Sequence, residues 1–261
     1  MQVNGDEEVL PEVRMKRILL RVAYDGTAYC GWQLQPNGNT IEAELNRHLS
    51  ELFQEEIQVI GASRTDAGVH ALGNVAVFDT QAQMPAEKVS YALNGRLPED
   101  IVVQSSCEAA PDFHPRHCMS KKTYEYRILN REFPLPMYRN MAYFTYEKLD
   151  LEAMRAACPY FLGEQDFKSL CSKKTQTATT VREIYSLTIE KEEPFLLIRV
   201  EGNGFLYNMV RIIAGTLLEA GRRRYPPEHV AEILAARDRS EAGPTAPAYG
   251  LTLVRIDYLQ E

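Results

Sequence analysis

Cysteine, tryptophan and uninterrupted apolar sequence are all scarce in this chain. Its 261 residues include five cysteines, Cys30, Cys107, Cys118, Cys158 and Cys171, an odd number with no close pair. That spacing fits neither a disulfide framework nor a zinc ribbon, and reduced thiols in a cytoplasm are the simple expectation. The most apolar stretch, 210–218, is interrupted by Arg211 and Gly215, so no membrane span is expected. The N-terminus has no basic head followed by an apolar core, so no secretory leader is expected. Positive charge is also short. Lys and Arg number 29 against 36 Asp and Glu, and the net charge of −7 argues mildly against a general nucleic-acid binder. The 45% hydrophobic and 25% charged residues are those of an ordinary soluble globular protein, long enough for one large or two modest domains.

The charge is unevenly spread. Asp6, Glu7, Glu8 and Glu12 fall in the first twelve residues with no Lys or Arg among them, so residues 1–15 are expected to form an acidic, disordered tail. Basic residues gather instead at Lys121-Lys122, Lys173-Lys174 and Arg222-Arg223-Arg224, and at Arg116 beside His114 and His117. Binding RNA requires local positive potential on one face rather than a positive total. A solvated surface is the alternative reading of each cluster taken singly.

Hydrophobic periodicity predicts an α+β chain. Strands are expected over 17–23, 56–60, 74–78 and 101–105, then over 123–129, 180–189, 195–201 and 251–258. Asn39 with Glu42 three residues on has the capping-box spacing, and Ile41, Leu45, Leu49 and Leu52 follow at helical period. Further helices are expected over 85–94, 149–162, 205–220 and 230–236, the third closed by Gly221. Pro111, Pro115 and the small residues around them read as a linker. The expected division is therefore an N-terminal α+β domain over 16–112 and a C-terminal one over 113–261. Their similar layouts suggest a duplicated unit.

The segment Gly61-Ala62-Ser63-Arg64-Thr65-Asp66-Ala67-Gly68-Val69-His70 stands out between two expected strands. Its small residues let a ligand approach the backbone, and Gly68 can take positive φ. Asp66 on such a loop, with Arg64 two residues earlier, suits a nucleophile or general base. An ordinary turn aspartate is the other reading. His114, His117 and Cys118 look superficially metal-like, but Pro115 opposes a helix presenting them together and no second ligand pair follows, so no metal is expected. Gly202-Asn203-Gly204 lacks phosphate-loop spacing and reads as the turn positioning the next helix.

The segment from Arg64 through Ala71 resembles the active-site signature of the tRNA pseudouridine synthase A family. Four further motifs occur in the family's order. They are Tyr24-Asp25-Gly26 with Gly31-Trp32-Gln33 and Gln35; Leu93-Asn94 with Leu97-Pro98 and Asp100-Ile101; Lys122-Thr123-Tyr124-Glu125-Tyr126; and the run from Gly204 to Arg211 with Thr245-Ala246-Pro247 and Gly250-Leu251. The resemblance implies two similar α/β-sandwich-like domains, with mixed, largely antiparallel sheets joined into one extended sheet and a central cleft. It also implies a homodimer acting on tRNA, isomerising uridine at positions 38 to 40 of the anticodon stem-loop. Atoms are rearranged and none added, so no cofactor is required.

On this resemblance Asp66 is the nucleophile, attacking either the uracil ring or the ribose C1′. Tyr124 stacks on the target base and helps remove its carbon-bound proton, and Arg211 pairs with Asp66. From alternation alone Tyr124 and Tyr126 share a face and cannot be ranked. Arg211 lies in a helix apolar almost all round, where a guanidinium must snorkel or find a partner. Candidate substrate-binding residues are Arg64, Tyr124, Arg116 and Lys122, with Trp32, Gln33, Gln35 and His70 at the mouth of the cleft and Lys121 and Arg222–Arg224 on phosphates. Gln165 stands where the family often has histidine. Two other classes compete: an RNA-binding or folding module without chemistry, and a hydrolase pairing Asp66 with Asp25 or Asp112.

Overall fold

The computed structural model describes residues 14–172 and 177–259; all but the last two residues of the expected acidic tail, and the Lys173-Lys174 pair, lie outside them. The architecture is α+β, a single large mixed sheet with five α-helices among the described residues. The chain runs β1 (Lys16–Tyr24), α1 (Ile41–Phe53), β2 (Ile60–Gly61), β3 (His70–Thr80), α2 (Ala86–Asn94) and β4 (Ile101–Ala109). It continues through β5 (Ser120–Asn130), β6 (Tyr143–Thr145), α3 (Leu151–Ala157), β7 (Gly163–Asp166), β8 (Val181–Glu192), β9 (Phe195–Gly202), α4 (Met209–Gly221), α5 (His229–Ala236) and β10 (Leu251–Tyr258). The sheet order is β4-β1-β3-β10-β5-β9-β8-β7, with β2 beside β3 and β6 beside β5.

The last strand joins the two halves of the sheet. β10 runs parallel to β3, with Thr252 opposite His70 and Leu253 opposite Ala71, and antiparallel to β5, with Leu253 opposite Tyr124. Paired residues share a face. Tyr24, Ala71, Leu253, Tyr124 and Val200 therefore form one row across five strands. This row belongs to the continuous apolar core. On the opposite face Glu125 accepts from the Nε atoms of Arg127 and Arg199, each at 2.8 Å, so its charge is held in an ion-pair network.

Three expectations about the helices are corrected. Thr40, not Asn39, caps α1: its Oγ1 accepts from the Ala43 N–H at 3.2 Å, while Asn39 Oδ1 accepts from the Thr40 N–H. The helix expected over 149–162 is only α3, because Asp150 caps it at Ala153 and the chain tightens at Cys158-Pro159. The helix expected from 205 starts at Met209, since Asn208 takes φ 62° and breaks the helical path. The strand expected over 56–60 survives only as the two-residue β2, and β6 and β7 were not anticipated.

Candidate active site

The segment before β3 is held from both sides. Asn74, fully buried, donates from Nδ2 to the Ser63 carbonyl at 3.0 Å and to Tyr24 Oη at 3.3 Å. Tyr24 Oη also meets Thr65 Oγ1 at 2.8 Å, and the Trp32 N–H donates to the Thr65 carbonyl at 3.0 Å. Gly31, at φ +92°, lies so close that a Cβ would strike that carbonyl, and Gly68 takes φ +79°. A backbone pinned at this many points presents the Asp66 side chain in one direction, toward α4.

Helix α4 supplies the opposing cation. Eleven of its thirteen residues are buried, leaving only Arg211 and Glu219 as partial exceptions. Arg211 Nη1 donates to Asp66 Oδ2 at 3.2 Å and to Asn208 Oδ1 at 2.7 Å, while Nε donates to the Ala246 carbonyl at 2.8 Å. The Ala246 N–H returns a bond to the Arg211 carbonyl at 3.1 Å. The guanidinium is therefore partnered rather than snorkelling, and the expected ion pair is present. The segment carrying Ala246 reaches α4 because Gly215 and Gly243 have no Cβ; one at Gly215 would overlap the Pro244 carbonyl. Gly215→Ala is expected to lower stability by about 1–3 kcal/mol and to displace the Ala246 carbonyl from Arg211, measurable by denaturant unfolding.

Register and covering loops distinguish the two tyrosines. The Tyr126 ring is wholly buried, its Oη donates to the Pro247 carbonyl at 3.0 Å, and Gly250 lies directly against it. Tyr124 stands one row nearer Asp66. Its Oη meets Ser63 Oγ at 2.8 Å, and its ring meets Phe205 edge-on at 5.2 Å. Burial pushes the Tyr124 hydroxyl up to about 12, opposed by the Ser63 bond and reinforced by the Asp66 charge. Burial also holds the Asp66 carboxyl above the usual carboxylate range, against the charge and hydrogen bond of Arg211. A carboxylate in this setting is under-solvated and directed, as nucleophilic attack requires.

The remaining candidates divide. Arg116 Nε donates to the Gly61 carbonyl at 2.7 Å, and Lys122 Nζ to the Ala62 carbonyl at 3.1 Å, so both flank the Asp66 segment. Arg64 is exposed and its charge is felt at Arg116; Gln33 and Gln35 are also exposed. Burial, then the charges of Arg116 and Arg182, pull the Lys122 ammonium down to about 8. Arg182 and Ser63 belong to this neighbourhood although neither was a candidate site residue from the sequence. Arg182 follows an expected strand start without a motif, and Ser63 was noted only for its size.

Trp32 and His70 are not at the mouth of a cleft. Trp32 is fully buried behind the Asp66 segment, against Tyr24 and beneath Gly61. His70 is buried too: its Nδ1 accepts from the Gly26 N–H at 3.1 Å, and Nε2 lies 2.8 Å from the Asn140 carbonyl. Arg222 is engaged by Glu147, Glu219 and Tyr143, and Arg223 by Asp150, at the far end of α4 from Arg211. Lys121 pairs with Glu201 at 3.2 Å. Asp25 accepts from the Thr27 N–H and hydroxyl, and Asp112 is exposed. His114 and His117 stack ring on ring at 3.8 Å. Gln165 donates to the Tyr160 and Leu162 carbonyls.

Residues 21–117 and 157–259 match the family model described as tRNA pseudouridine synthase. A protein of Thermoanaerobacter sp. (strain X514), named tRNA pseudouridine synthase A, is 45% identical over 94% of this chain and 100% of its own. One of Clostridium perfringens (strain 13 / Type A), named tRNA pseudouridine synthase A 2, is 45% identical over the same shares. A tRNA pseudouridine synthase A of Syntrophomonas wolfei is 45% identical over 95% of this chain and 99% of its own.

Proposed function

The chain belongs to the tRNA pseudouridine synthase family, and we propose on that footing that it isomerises uridine at positions 38 to 40 of the anticodon stem-loop, with Asp66 as nucleophile. The single observation that supports this most is the under-solvated Asp66 carboxyl paired with Arg211 beside the Tyr124 ring. In the rearrangement the bond from ribose C1′ to uracil nitrogen breaks and one from C1′ to a ring carbon forms. That carbon loses a proton, the nitrogen gains one, and the composition is unchanged. Asp66 forms the transient bond, to the ring or to C1′, and is released when the new carbon–carbon bond is made. Arg211 holds the carboxylate in line, and Tyr124 supplies the aromatic surface for the loosened base. The balance is redox-neutral, so the proposal includes no cofactor. The homodimer rests on the family resemblance, and the cytoplasmic placement on the five free thiols.

The target uridine must leave its stack, which costs a few kcal/mol. Phosphate contacts from Arg64, Arg116 and Lys122, and a contact from the exposed Gln33, would offset that cost. Because Lys122 titrates near about 8, tRNA affinity is expected to weaken as the pH rises through that value. Lys122→Arg, charged throughout, is expected to flatten this dependence in filter-binding titrations at constant salt. The same lowered value adds folding stability as the pH climbs from about 8 toward the unfolded-state value, because the neutral amine is the better-tolerated buried form.

The test is carbodiimide mapping of unmodified tRNA after incubation with the protein, run beside Asp66→Ala. New signals confined to the anticodon stem-loop and absent with the variant are expected. Binding without signal would favour an RNA-folding module, and free uracil or a cleaved strand would favour a hydrolase.

A further inference from the structure

We infer that Asn208 and Ser172 are positioning residues for Arg211, a short chain of side chains that aims the guanidinium at Asp66. The inference rests on the reading of Asp66 and Arg211 as the catalytic pair. Asn208 occupies the N-cap of α4, where asparagine ordinarily takes an extended backbone and bonds a free helix N–H. Here it does neither. Its backbone is left-handed at φ 62°, ψ 5°, and its side chain makes no capping bond. Both ends of the amide are used elsewhere: Oδ1 accepts from Arg211 Nη1 at 2.7 Å, and Nδ2 donates to Ser172 Oγ at 2.7 Å. The amide orientation follows from chemistry, since a guanidinium only donates and must face the oxygen.

The nitrogen held by Asn208 is the one that reaches Asp66, and its bond to Asn208 is the shorter of the two. Positions 208 and 211 are one helical turn apart, where side chains meet on one surface. Asparagine tolerates the left-handed backbone better than most residues. Ser172 is itself fixed, because its N–H donates to the Tyr207 carbonyl at 3.1 Å. The segment after Phe167 is thereby tied to the start of α4 at two points, and the Arg211 head group inherits that placement.

A purely conformational role for Asn208 makes a different prediction, because glycine adopts the same backbone freely. Asn208→Gly keeps the left-handed backbone and is expected to stay folded, with a melting temperature a few degrees below the wild type's for the two side-chain bonds it loses. Its kcat on tRNA should fall roughly 10- to 100-fold with KM little changed. In the free protein, the Asp66 carboxyl signal (¹³C-labelled aspartate, assigned by its loss in Asp66→Asn) should titrate at higher pH than in the wild type. Ser172→Ala should show a smaller drop in kcat and add nothing on top of Asn208→Gly, the non-additivity of residues acting in one chain. Wild-type kcat and an unmoved Asp66 titration in Asn208→Gly would overturn the inference, as would full additivity with Ser172→Ala. If the wild type forms no pseudouridine, the proposed function fails, while the carboxyl titration still decides whether Asn208 governs the pair.

Discussion

Asp66→Asn is expected to abolish pseudouridine formation, by about 10⁴-fold or more, while leaving the protein at least as stable as the wild type. The amide keeps the shape of the carboxyl and an oxygen for Arg211 Nη1 to donate to, but it is no nucleophile. The stability expectation follows from burial. The Asp66 carboxyl is held above its ordinary range, so its ionised form is less welcome in the folded chain than in the unfolded one. An acid raised in this way loses folding stability as the pH climbs from its unfolded to its folded value, and above both the penalty is complete. The amide never ionises and escapes it. At neutral pH the melting temperature of Asp66→Asn is therefore expected to equal or exceed the wild type's. Single-turnover carbodiimide mapping and thermal unfolding of the same preparations check the two halves together. A turn aspartate would behave in the opposite way, with a lower melting temperature and only modest loss of product.

What the sequence made legible depended on whether its physical signal was local. Ile41, Leu45 and Leu49 at helical period identified α1, and β10 has the bounds that alternation predicted. Arg211 was legible as a guanidinium that had to snorkel or find a partner, and the resemblance, not the pattern, chose Asp66. The start of α4 was misread because Phe205 and Leu206 continue the apolar pattern. Periodicity reports burial, whereas the break at Asn208 is a matter of φ. Trp32 was placed at a cleft mouth, although a sole tryptophan otherwise reads as core. Order along the chain does not say which side of a loop a ring occupies, and the ring sits behind it under Gly61. Arg223 looked free because its partner, Asp150, lies more than seventy residues away, as does Glu147, which joins the nearby Glu219 in holding Arg222. Tyr124 and Tyr126 could not be separated by alternation, and both are buried; the chain around Pro247 and Gly250 covers the second, whereas Ser63 and Phe205 meet the first.

Arg211→Ala is expected to reduce kcat by about 10²–10³-fold, the usual effect of removing one fixed electrostatic group from a reacting centre. It should also move the acid limb of the pH–rate profile. With Asp66 as the proposed nucleophile only its ionised form would attack, so the limb should follow its titration, which burial already sets above the ordinary carboxylate range. Arg211 supplies the charge and hydrogen bond that oppose that rise, and without them the limb moves to still higher pH. Lysine is not a substitute: one ammonium cannot hold Asp66, Asn208 and the Ala246 carbonyl in the geometry of a planar fork. Arg211→Lys should therefore recover part of the limb position but little of the rate. The stability loss in Arg211→Ala is expected at about 1–3 kcal/mol, below that of a wholly buried pair, because each side chain keeps nearly a fifth of its surface in water (18% and 19%). Its pH dependence separates two contributions. As the pH falls and Asp66 takes up its proton, the unpaired-charge penalty disappears and the variant approaches the wild type. The gap that persists in acid measures the bonds to Ala246 and Asn208, which do not titrate. If the gap is instead constant across the pH range, Arg211 holds the α4 N-terminus and the segment around Ala246 together without governing the ionisation of Asp66.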